Sequence, residues 1–307
     1  MRLVFAGTPV PAVASLRRLA ASAHDVAAVV TRPDAPLGRK RVLTPSPVAA
    51  AADDLGLPVI RAARLDAAAT AQITELEPDL GVIVAYGGLV REPLLSAPRH
   101  GWINLHFSLL PAWRGAAPVQ HALIAGDRVT GASVFQLVPE LDAGDVFAER
   151  EYAVPEASTA ADVLAALAET GAELLADVVD AIAAGTASAR PQVGEPSYAP
   201  KLTIDDGALD WSLPAARILD RFSGVTPEPG AHTSVAGQRL KILAAEAAPE
   251  GAESLPPGRI AQVRGGILIG SATAPVLVTR VQPAGKGAMA AADWWRGARL
   301  DEAVAGA

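Results

Sequence analysis

The first half of the chain alternates short β-prone runs with segments of helical pattern, and this alternation constrains the fold more than any other feature. Strands that alternate with helices build a parallel sheet covered by helices. The predicted strands are Arg2–Ala6, Asp25–Thr31, Pro58–Arg61, Asp79–Ala85 and Trp102–Phe107. The predicted helices are Pro9–Ala21, Pro47–Leu55 and Ala67–Glu77, each bounded by Pro, Gly or Asp residues. We therefore expect an α/β fold in this part of the chain.

The second half changes character. After Thr159, apolar residues recur at about the 3.6-residue helical period, which predicts a long amphipathic helix that ends before Gly185. Residues 186–199 then contain two prolines and many small residues, as linkers do. Short β-prone runs between Gly and Pro follow, at Gly237–Leu243, Arg259–Val263, Gly266–Ile269 and Pro275–Val281. They indicate a small barrel or sandwich. We expect one domain over residues 1–188, a linker over 189–205 and a β-rich domain over 206–307.

The composition excludes several classes of protein. The 307 residues include no cysteine, which excludes a disulfide scaffold, a thiol nucleophile and a cysteine zinc site. No uncharged apolar run approaches the roughly 20 residues of a membrane span. The net charge of −7 lies entirely in residues 1–205, because residues 206–307 hold ten basic and ten acidic side chains. This balance argues against a general nucleic-acid binder. We expect a soluble, cytoplasmic protein, because no apolar run is long enough for a membrane span and the run in Met1–Gly7 is too short for a signal sequence.

The strand Trp102–Phe107 places two polar side chains where an apolar face is expected. Because successive side chains alternate, Asn104 and His106 share one face of the strand. Strands in a helix-covered parallel sheet are normally apolar on both faces, and such sheets bind ligands beyond the carboxyl ends of their strands. The following segment, Ser108–Gly115, has no regular period and would form the lip of such a crevice. From spacing alone, hydrogen bonds from Asn104 and His106 to nearby loop backbone are an equal alternative.

Three other segments have both a functional and an ordinary interpretation. The acidic turn Pro139–Asp145 can bring a carboxylate to His106, although Asp and Gly also favour turns for local reasons. The proline-rich run Arg32–Arg41 ends in three consecutive cations, which in most proteins are solvated surface. The turn Phe5–Pro9 lies where doubly wound folds often face a phosphate, but tight-turn geometry explains it equally well.

Four segments together resemble the methionyl-tRNA formyltransferase family: Asn104–Pro118, Leu141–Asp145, Phe5–Pro9 and Gln282–Lys286. The first looks like the broader group of enzymes that use 10-formyltetrahydrofolate as formyl donor. The last two favour the branch that acts on transfer RNA. The resemblance implies a Rossmann-like, doubly wound catalytic domain followed by an OB-like β-barrel.

The resemblance also implies roles for particular residues. Asn104, His106 and Asp142 would be the catalytic residues. The folate site would be lined by Ser108, Leu109, Leu110 and Pro111, and the acceptor end of the transfer RNA would be contacted by Arg39, Lys40 and Arg41. No metal is expected. The implied reaction is formyl transfer from 10-formyltetrahydrofolate to the α-amino group of methionyl-initiator tRNA. Nothing in the sequence bears on oligomeric state, and a monomer is the default expectation.

These residue types suit the implied chemistry. Acyl transfer to an amine passes through a tetrahedral intermediate whose oxygen gains negative charge, and the amide N–H groups of Asn104 can stabilise it. The attacking amine must lose a proton, since its reference pKa of about 8 leaves it mostly charged at neutral pH. His106 can relay that proton, with Asp142 orienting the imidazole and stabilising its charged form.

Three other functions remain open at this point. Another formyl enzyme, which hydrolyses formyltetrahydrofolate or formylates a small amine, would use the same three residues but not the basic loop or Gln282–Lys286. A nucleotide-binding oxidoreductase is disfavoured because no G-x-G-x-x-G fingerprint is present. A non-catalytic RNA-binding module is disfavoured by the neutral charge of the C-terminal third.

Overall fold

A computed structural model describes residues 1–38, 41–300 and 303–306. The helices are α1 (Val13–Ala20), α2 (Pro47–Asp54), α3 (Ala67–Glu75), α4 (Pro118–Ala125), α5 (Ala160–Ala184), α6 (Ala215–Gly224) and α7 (Ala291–Ala298). Short 3-10 turns lie at Val10–Ala12 and Asp205–Gly207. The strands are β1 (Arg2–Gly7), β2 (Asp25–Thr31), β3 (Ala35–Leu37), β4 (Val42–Thr44), β5 (Val59–Arg61), β6 (Leu80–Val84), β7 (Trp102–His106), β8 (Arg114–Gly115), β9 (Val129–Gln136), β10 (Val146–Ala153), β11 (Tyr198–Ala199), β12 (His232–Val235), β13 (Gln238–Ala247), β14 (Ile260–Val263), β15 (Gly266–Ile269), β16 (Val276–Pro283) and β17 (Met289–Ala290).

The chain forms two compact units. The first comprises Met1–Pro118, Val129–Ala153 and Leu164–Ala199. The second comprises Val119–Arg128, Val154–Val163 and the described residues from Pro200 onward. Within the described residues, no helix is both long enough and apolar enough to cross a membrane.

The first unit is built on a seven-stranded sheet in the order β10-β9-β7-β6-β1-β2-β5. The five strands from β7 to β5 are parallel, which confirms the α/β fold predicted from the alternating pattern. Strands β9 and β10 form an antiparallel hairpin beside β7, and this departs from a purely parallel sheet. Sequence analysis predicts neither strand, because Gly131, Ala132 and Ser133 weaken the β-prone pattern of β9.

The site strand β7 is fixed by packing on both of its faces. On one face the fully buried Trp102 fills the space over Gly81, where any Cβ would overlap the indole ring, and its Nε1 donates to the carbonyl oxygen of Leu94 at 2.8 Å. On the other face Leu105 lies against Gly171 of α5, whose missing side chain lets the helix approach closely. Tight packing of this kind leaves the strand little freedom to shift.

Residues 190–199 follow α5 and are part of the first unit. Arg190 and Val146 exchange backbone hydrogen bonds of 2.9 and 2.8 Å, and β11 pairs in parallel with β8. This segment therefore crosses the loops that follow β7 and β9.

The second unit contains an antiparallel sheet in the order β12-β13-β16-β15-β14, with β17 paired to β16. Its core is largely apolar. It includes a buried polar pair, in which Nε1 of Trp211 donates to the hydroxyl of Thr233 at 2.9 Å. Trp294 and Trp295 of α7 pack against this core. The sheet curls, as a half-barrel does, and confirms the predicted β-rich unit.

Candidate active site

The carboxyl end of β7 holds two of the predicted site residues. Asn104 and His106 lie on the same face, between β6 and the antiparallel strand β9, where His106 is opposite Ser133. The His106 side chain is almost completely buried, and its ring meets Phe135 edge to face with the ring centroids 6.4 Å apart. The sheet therefore presents an imidazole in a water-poor environment at the edge where such folds bind ligands.

The proton positions on His106 follow from its neighbours. Nε2 lies 2.9 Å from the carbonyl oxygen of Trp113, and because a carbonyl oxygen can only accept, Nε2 carries a hydrogen. In the neutral ring, Nδ1 is then the basic atom, and it lies 3.9 Å from Oδ2 of Asp142. Burial lowers the pKa of His106 below its ordinary value, against opposing effects of the Asp142 carboxylate and the Trp113 carbonyl. The imidazole is thus neutral at rest and can accept a proton on the side that faces Asp142.

Asp142 is held in an unusual backbone conformation. Its φ of 47° lies in the left-handed region, which non-glycine residues rarely adopt. Its Oδ2 accepts a 2.8 Å hydrogen bond from the backbone N–H of Gly115. Two residues later, a side chain at Gly144 would overlap the carbonyl oxygen of Gln136, so this part of the loop requires glycine. The loop after β9 is therefore shaped to aim one buried carboxylate at His106.

Asn104 is left with free hydrogen-bonding capacity. Its Oδ1 is buried and has no hydrogen-bond partner. More than nine in ten buried polar groups in proteins are paired, so this oxygen is free to accept a hydrogen bond from a group that enters the site.

The predicted folate segment forms a rigid lip directly after β7. The Ser133 hydroxyl accepts a 3.1 Å hydrogen bond from the N–H of Leu110 and donates to the carbonyl oxygen of Ser108 at 2.7 Å. The Ser108 hydroxyl donates to the carbonyl oxygen of Ala112 at 2.6 Å. Leu109 lies over Gly131, where a side chain would overlap it, and the lip continues to Pro111. The structure thus brings Ser108–Pro111 next to Asn104 and His106.

The basic run lies on a separate element. Sequence analysis predicts a loop, whereas β3 and β4 form an antiparallel hairpin in which Leu37 pairs with Val42. Arg41 is exposed at the tip of the hairpin, and Arg39 and Lys40 lie outside the described residues. Pro36 does not prevent this two-stranded hairpin, because edge strands tolerate proline.

Sequence analysis misses several residues that build the site. Gln192 contacts the Asp142 loop across 50 positions of sequence, in a segment whose composition is that of a linker. Ser133 gives no sequence signal either, because its role depends on the pairing of β7 with β9.

Two further observations concern ligands. At the turn after β1, a side chain at Gly7 would crowd both Ala12 and the carbonyl oxygen of Val84, so close packing explains this glycine without a phosphate. Within the described ranges, no group of three or more His, Asp or Glu side chains is placed to hold a metal ion.

Comparisons with known proteins agree with this geometry. The family described as "Formyl transferase" matches residues 1–179, and "Formyl transferase, C-terminal domain" matches residues 201–299. A protein named methionyl-tRNA formyltransferase from Clavibacter sepedonicus is 64% identical over 305 residues, which is 99% of this chain and 100% of the relative. The chain belongs to the methionyl-tRNA formyltransferase family. The resemblance seen in the sequence motifs is thereby confirmed.

Other members and more distant structures extend this result. The methionyl-tRNA formyltransferase of Paenarthrobacter aurescens is 55% identical over 304 residues, 99% of each chain. An N-formyltransferase from Helicobacter canadensis, solved with folinic acid and dTDP-3-aminofucose, matches with a TM-score of 0.70 at 16% identity, over 92% of this formyltransferase chain and 98% of that one. HypX from Aquifex aeolicus in complex with tetrahydrofolic acid matches with a TM-score of 0.65 at 18% identity, over 96% of this chain and 46% of that one. At such identities these two structures show a shared fold.

Proposed function

We propose that the chain transfers the formyl group of 10-formyltetrahydrofolate to the α-amino group of methionyl-initiator tRNA, giving N-formylmethionyl-tRNA. One observation carries the proposal: a buried, neutral His106 lies 3.9 Å from Asp142 and two residues from Asn104, whose buried oxygen has no partner. Relatives of the same name at 64% and 55% identity support the choice of substrate.

His106 would handle the proton of the attacking amine. The amine nitrogen bonds to the formyl carbon, the bond from that carbon to the folate nitrogen breaks, and the proton lost by the amine is delivered to the folate nitrogen. Nδ1 of His106 is the free base that can take this proton, because Nε2 already donates to Trp113. The Asp142 carboxylate would then stabilise the charged ring, as in other carboxylate–histidine pairs.

Asn104 would bind the reacting group through both ends of its carboxamide. Its N–H donors suit the formyl oxygen as negative charge develops there, and removing one such donor typically costs about 100- to 1,000-fold in rate. Its unpartnered Oδ1 suits an N–H of the incoming amine. The folate donor supplies the formyl group, and Ser108, Leu109, Leu110 and Pro111 would line its site.

The exposed hairpin would contact the transfer RNA. Arg39, Lys40 and Arg41 are consecutive cations in the sequence between β3 and β4, and of these the structure describes Arg41, which is exposed at the tip of the hairpin. Cations of this kind supply affinity for a nucleic-acid backbone without reading its sequence.

The proposal also covers the location of the protein, its oligomeric state and its domains. The protein acts as a cytoplasmic monomer, with a catalytic domain over residues 1–188, a linker over 189–205 and a C-terminal domain over 206–307. The C-terminal unit is an OB-like barrel. Bridges from Val235 to Ala305 and from Arg259 to Val304 support closure, because they join the C-terminal segment to both edges of the curled sheet.

A formylation assay tests the proposal. Purified protein receives 10-formyltetrahydrofolate with methionylated initiator or elongator tRNA, and His106→Ala is the control. Formylated methionine on the initiator alone, absent in the control, is the expected result. Folate turnover without formylated RNA would instead assign a hydrolase or a small-amine formyltransferase. No turnover would contradict formyl transfer altogether.

A further inference from the structure

Gln192 links the backbone of the Asp142 loop to the side chain of Arg114. Its Nε2 donates to the carbonyl oxygens of Asp142 and Gly144 at 2.8 and 2.9 Å. Its Oε1 accepts from Nη2 and Nε of Arg114 at 2.6 and 3.2 Å. Both hydrogens and the oxygen of the carboxamide are therefore engaged.

These bonds close a ring around the carboxylate. The residue after Arg114 is Gly115, whose N–H donates to Oδ2 of Asp142 at 2.8 Å. Asp142 is thus held at its side chain by Gly115 and at its backbone by Gln192, and the same glutamine holds the neighbour of Gly115. These contacts hold Asp142 in its left-handed backbone conformation, which residues other than glycine adopt infrequently.

The segment that carries Gln192 is itself anchored on both sides. Arg190 pairs with Val146 of β10, and the N–H of Arg114 donates to the carbonyl oxygen of Ser197 at 2.9 Å. Gln192 is half-buried between these anchors, whereas the next residue, Val193, is 88% exposed. The anchors fix the position of the carboxamide without help from the substrate.

We propose that Gln192 is a positioning residue for formyl transfer, which sets the distance between Asp142 and His106 by holding the backbone of the Asp142 loop. The inference rests on the function proposed above. It gives residues 190–199 a part in the reaction, since this segment completes the support of the carboxylate.

Two substitutions of Gln192 and one control test the inference through kcat and KM. Gln192→Met keeps the length of the side chain but removes all four hydrogen bonds, and kcat falls by about 10- to 100-fold, the range typical of misplaced catalytic geometry. Gln192→Glu keeps one oxygen as acceptor for Arg114 but places its second carboxylate oxygen against the carbonyl oxygens of Asp142 and Gly144. These oxygens repel one another, so kcat falls similarly. KM for the folate changes less than kcat. Val193→Ala, the matched control, behaves as wild type.

The pH profile separates positioning from simple loss of structure. Two polar groups act on the His106 ring, the Asp142 carboxylate and the Trp113 carbonyl, and both raise the pKa of His106. When Asp142 moves away in Gln192→Met, the pKa of His106 falls and the acid limb of the kcat profile shifts to lower pH. NMR titration of the His106 ring without substrates shows the same shift. A partly unfolded variant would lose amplitude at unchanged pKa.

Coupling to Asp142 is the decisive comparison. In an Asp142→Asn background, Gln192→Met costs less than about twofold, because the carboxylate that it positions is gone. Additive losses, or a Gln192→Met enzyme with wild-type kcat and His106 pKa, would overturn the inference. Failure of the wild-type protein to formylate methionyl-tRNA would instead overturn the proposed function, and the NMR titration would still test the role of Gln192.

Discussion

At the scale of individual residues, the chemistry of the candidate site depends on the protonation of His106, which the groups around its ring determine. The Trp113 carbonyl assigns the hydrogen to Nε2, burial keeps the ring neutral, and Asp142 lies on the side of the free nitrogen. Each of these effects acts within a few ångströms. They turn a histidine of ordinary basicity into a base that accepts a proton only when its charge can be stabilised.

Asp142→Asn tests this arrangement. Without the carboxylate the charged ring is not stabilised, so kcat falls, and the pKa of His106 also falls because the group that raises it is lost. In the proposed mechanism the neutral ring is the active form, so the acid limb of the kcat profile should move to lower pH. Steady-state formylation between pH 5 and 9 measures both effects. Asp145→Asn, an exposed residue in the same turn, is the control. An unchanged acid limb in Asp142→Asn would contradict the pairing.

At the scale of elements, the site depends on β9 as much as on β7. Ser133 of β9 fastens the segment after β7 through two hydrogen bonds. Because β9 is antiparallel to β7, it begins at the end of the sheet where β7 ends, and its Ser133 hydroxyl lies under the lip. A strand parallel to β7 would begin at the opposite end of the sheet. The hairpin of β9 and β10 is therefore part of the site.

Ser133→Ala leaves a buried N–H and a buried carbonyl oxygen without their partner, at a cost of about 1–3 kcal/mol for each unpaired group. We expect a looser lip and a KM for the folate raised about 10-fold or more, with the KM for transfer RNA little changed. Thr130→Val is the matched control, because the Thr130 hydroxyl is also buried on β9 but has no hydrogen-bond partner. Equal folate KM values in the two variants would show that Ser133 does not hold the lip.

The β3–β4 hairpin is the element that we propose contacts the transfer RNA. Replacing Arg39, Lys40 and Arg41 together by alanine should raise the KM for transfer RNA and leave the KM for folate unchanged. The slope of log KM against log salt should decrease by about 0.7–0.9 for each phosphate that the variant no longer neutralises. Arg17 and Arg18 are exposed cations at the end of α1, at the opposite edge of the sheet, and their double alanine variant is the control. An equal change in the KM for transfer RNA per charge removed, three in one variant and two in the other, would show that only net charge matters.

At the scale of the whole molecule, the buried histidine affects stability as well as activity. The pKa of His106 is lowered from 6.5 on folding, mainly because burial disfavours the charged ring. Below pH 6.5 the unfolded chain therefore binds a proton at His106 that the folded chain does not. The free energy of unfolding consequently falls as the pH drops through this window toward the lower, folded pKa.

Urea unfolding at pH 7.5 and pH 5.5 measures this linkage. The wild-type protein should lose more stability between the two pH values than His106→Gln, in which this titration is absent. Because other groups titrate equally in both proteins, the difference isolates His106. Parallel losses in the two proteins would mean that His106 titrates alike in the folded and unfolded chains.

Local patterns allowed much of the first unit to be predicted. Each of the five parallel strands was expected from its own β-prone run, and Ser46 and Asp66 cap α2 and α3 at the predicted helix starts. The shared face of Asn104 and His106 follows from strand alternation within three residues. Such features depend on neighbours in sequence, which a sequence displays directly.

The sequence by itself determined the five parallel strands, the polar face of β7 and the family, because these depend on local periodicity and on contiguous motifs. Only the tertiary structure decided which groups meet. Strand pairing placed Ser133 under the lip, and the path of residues 190–199 brought Gln192 to the backbone of Asp142. Burial lowered the pKa of His106, an effect that exists only once the sheet and its helices exclude water. Contacts between distant residues and the exclusion of solvent are properties of the folded chain, and no local pattern encodes them.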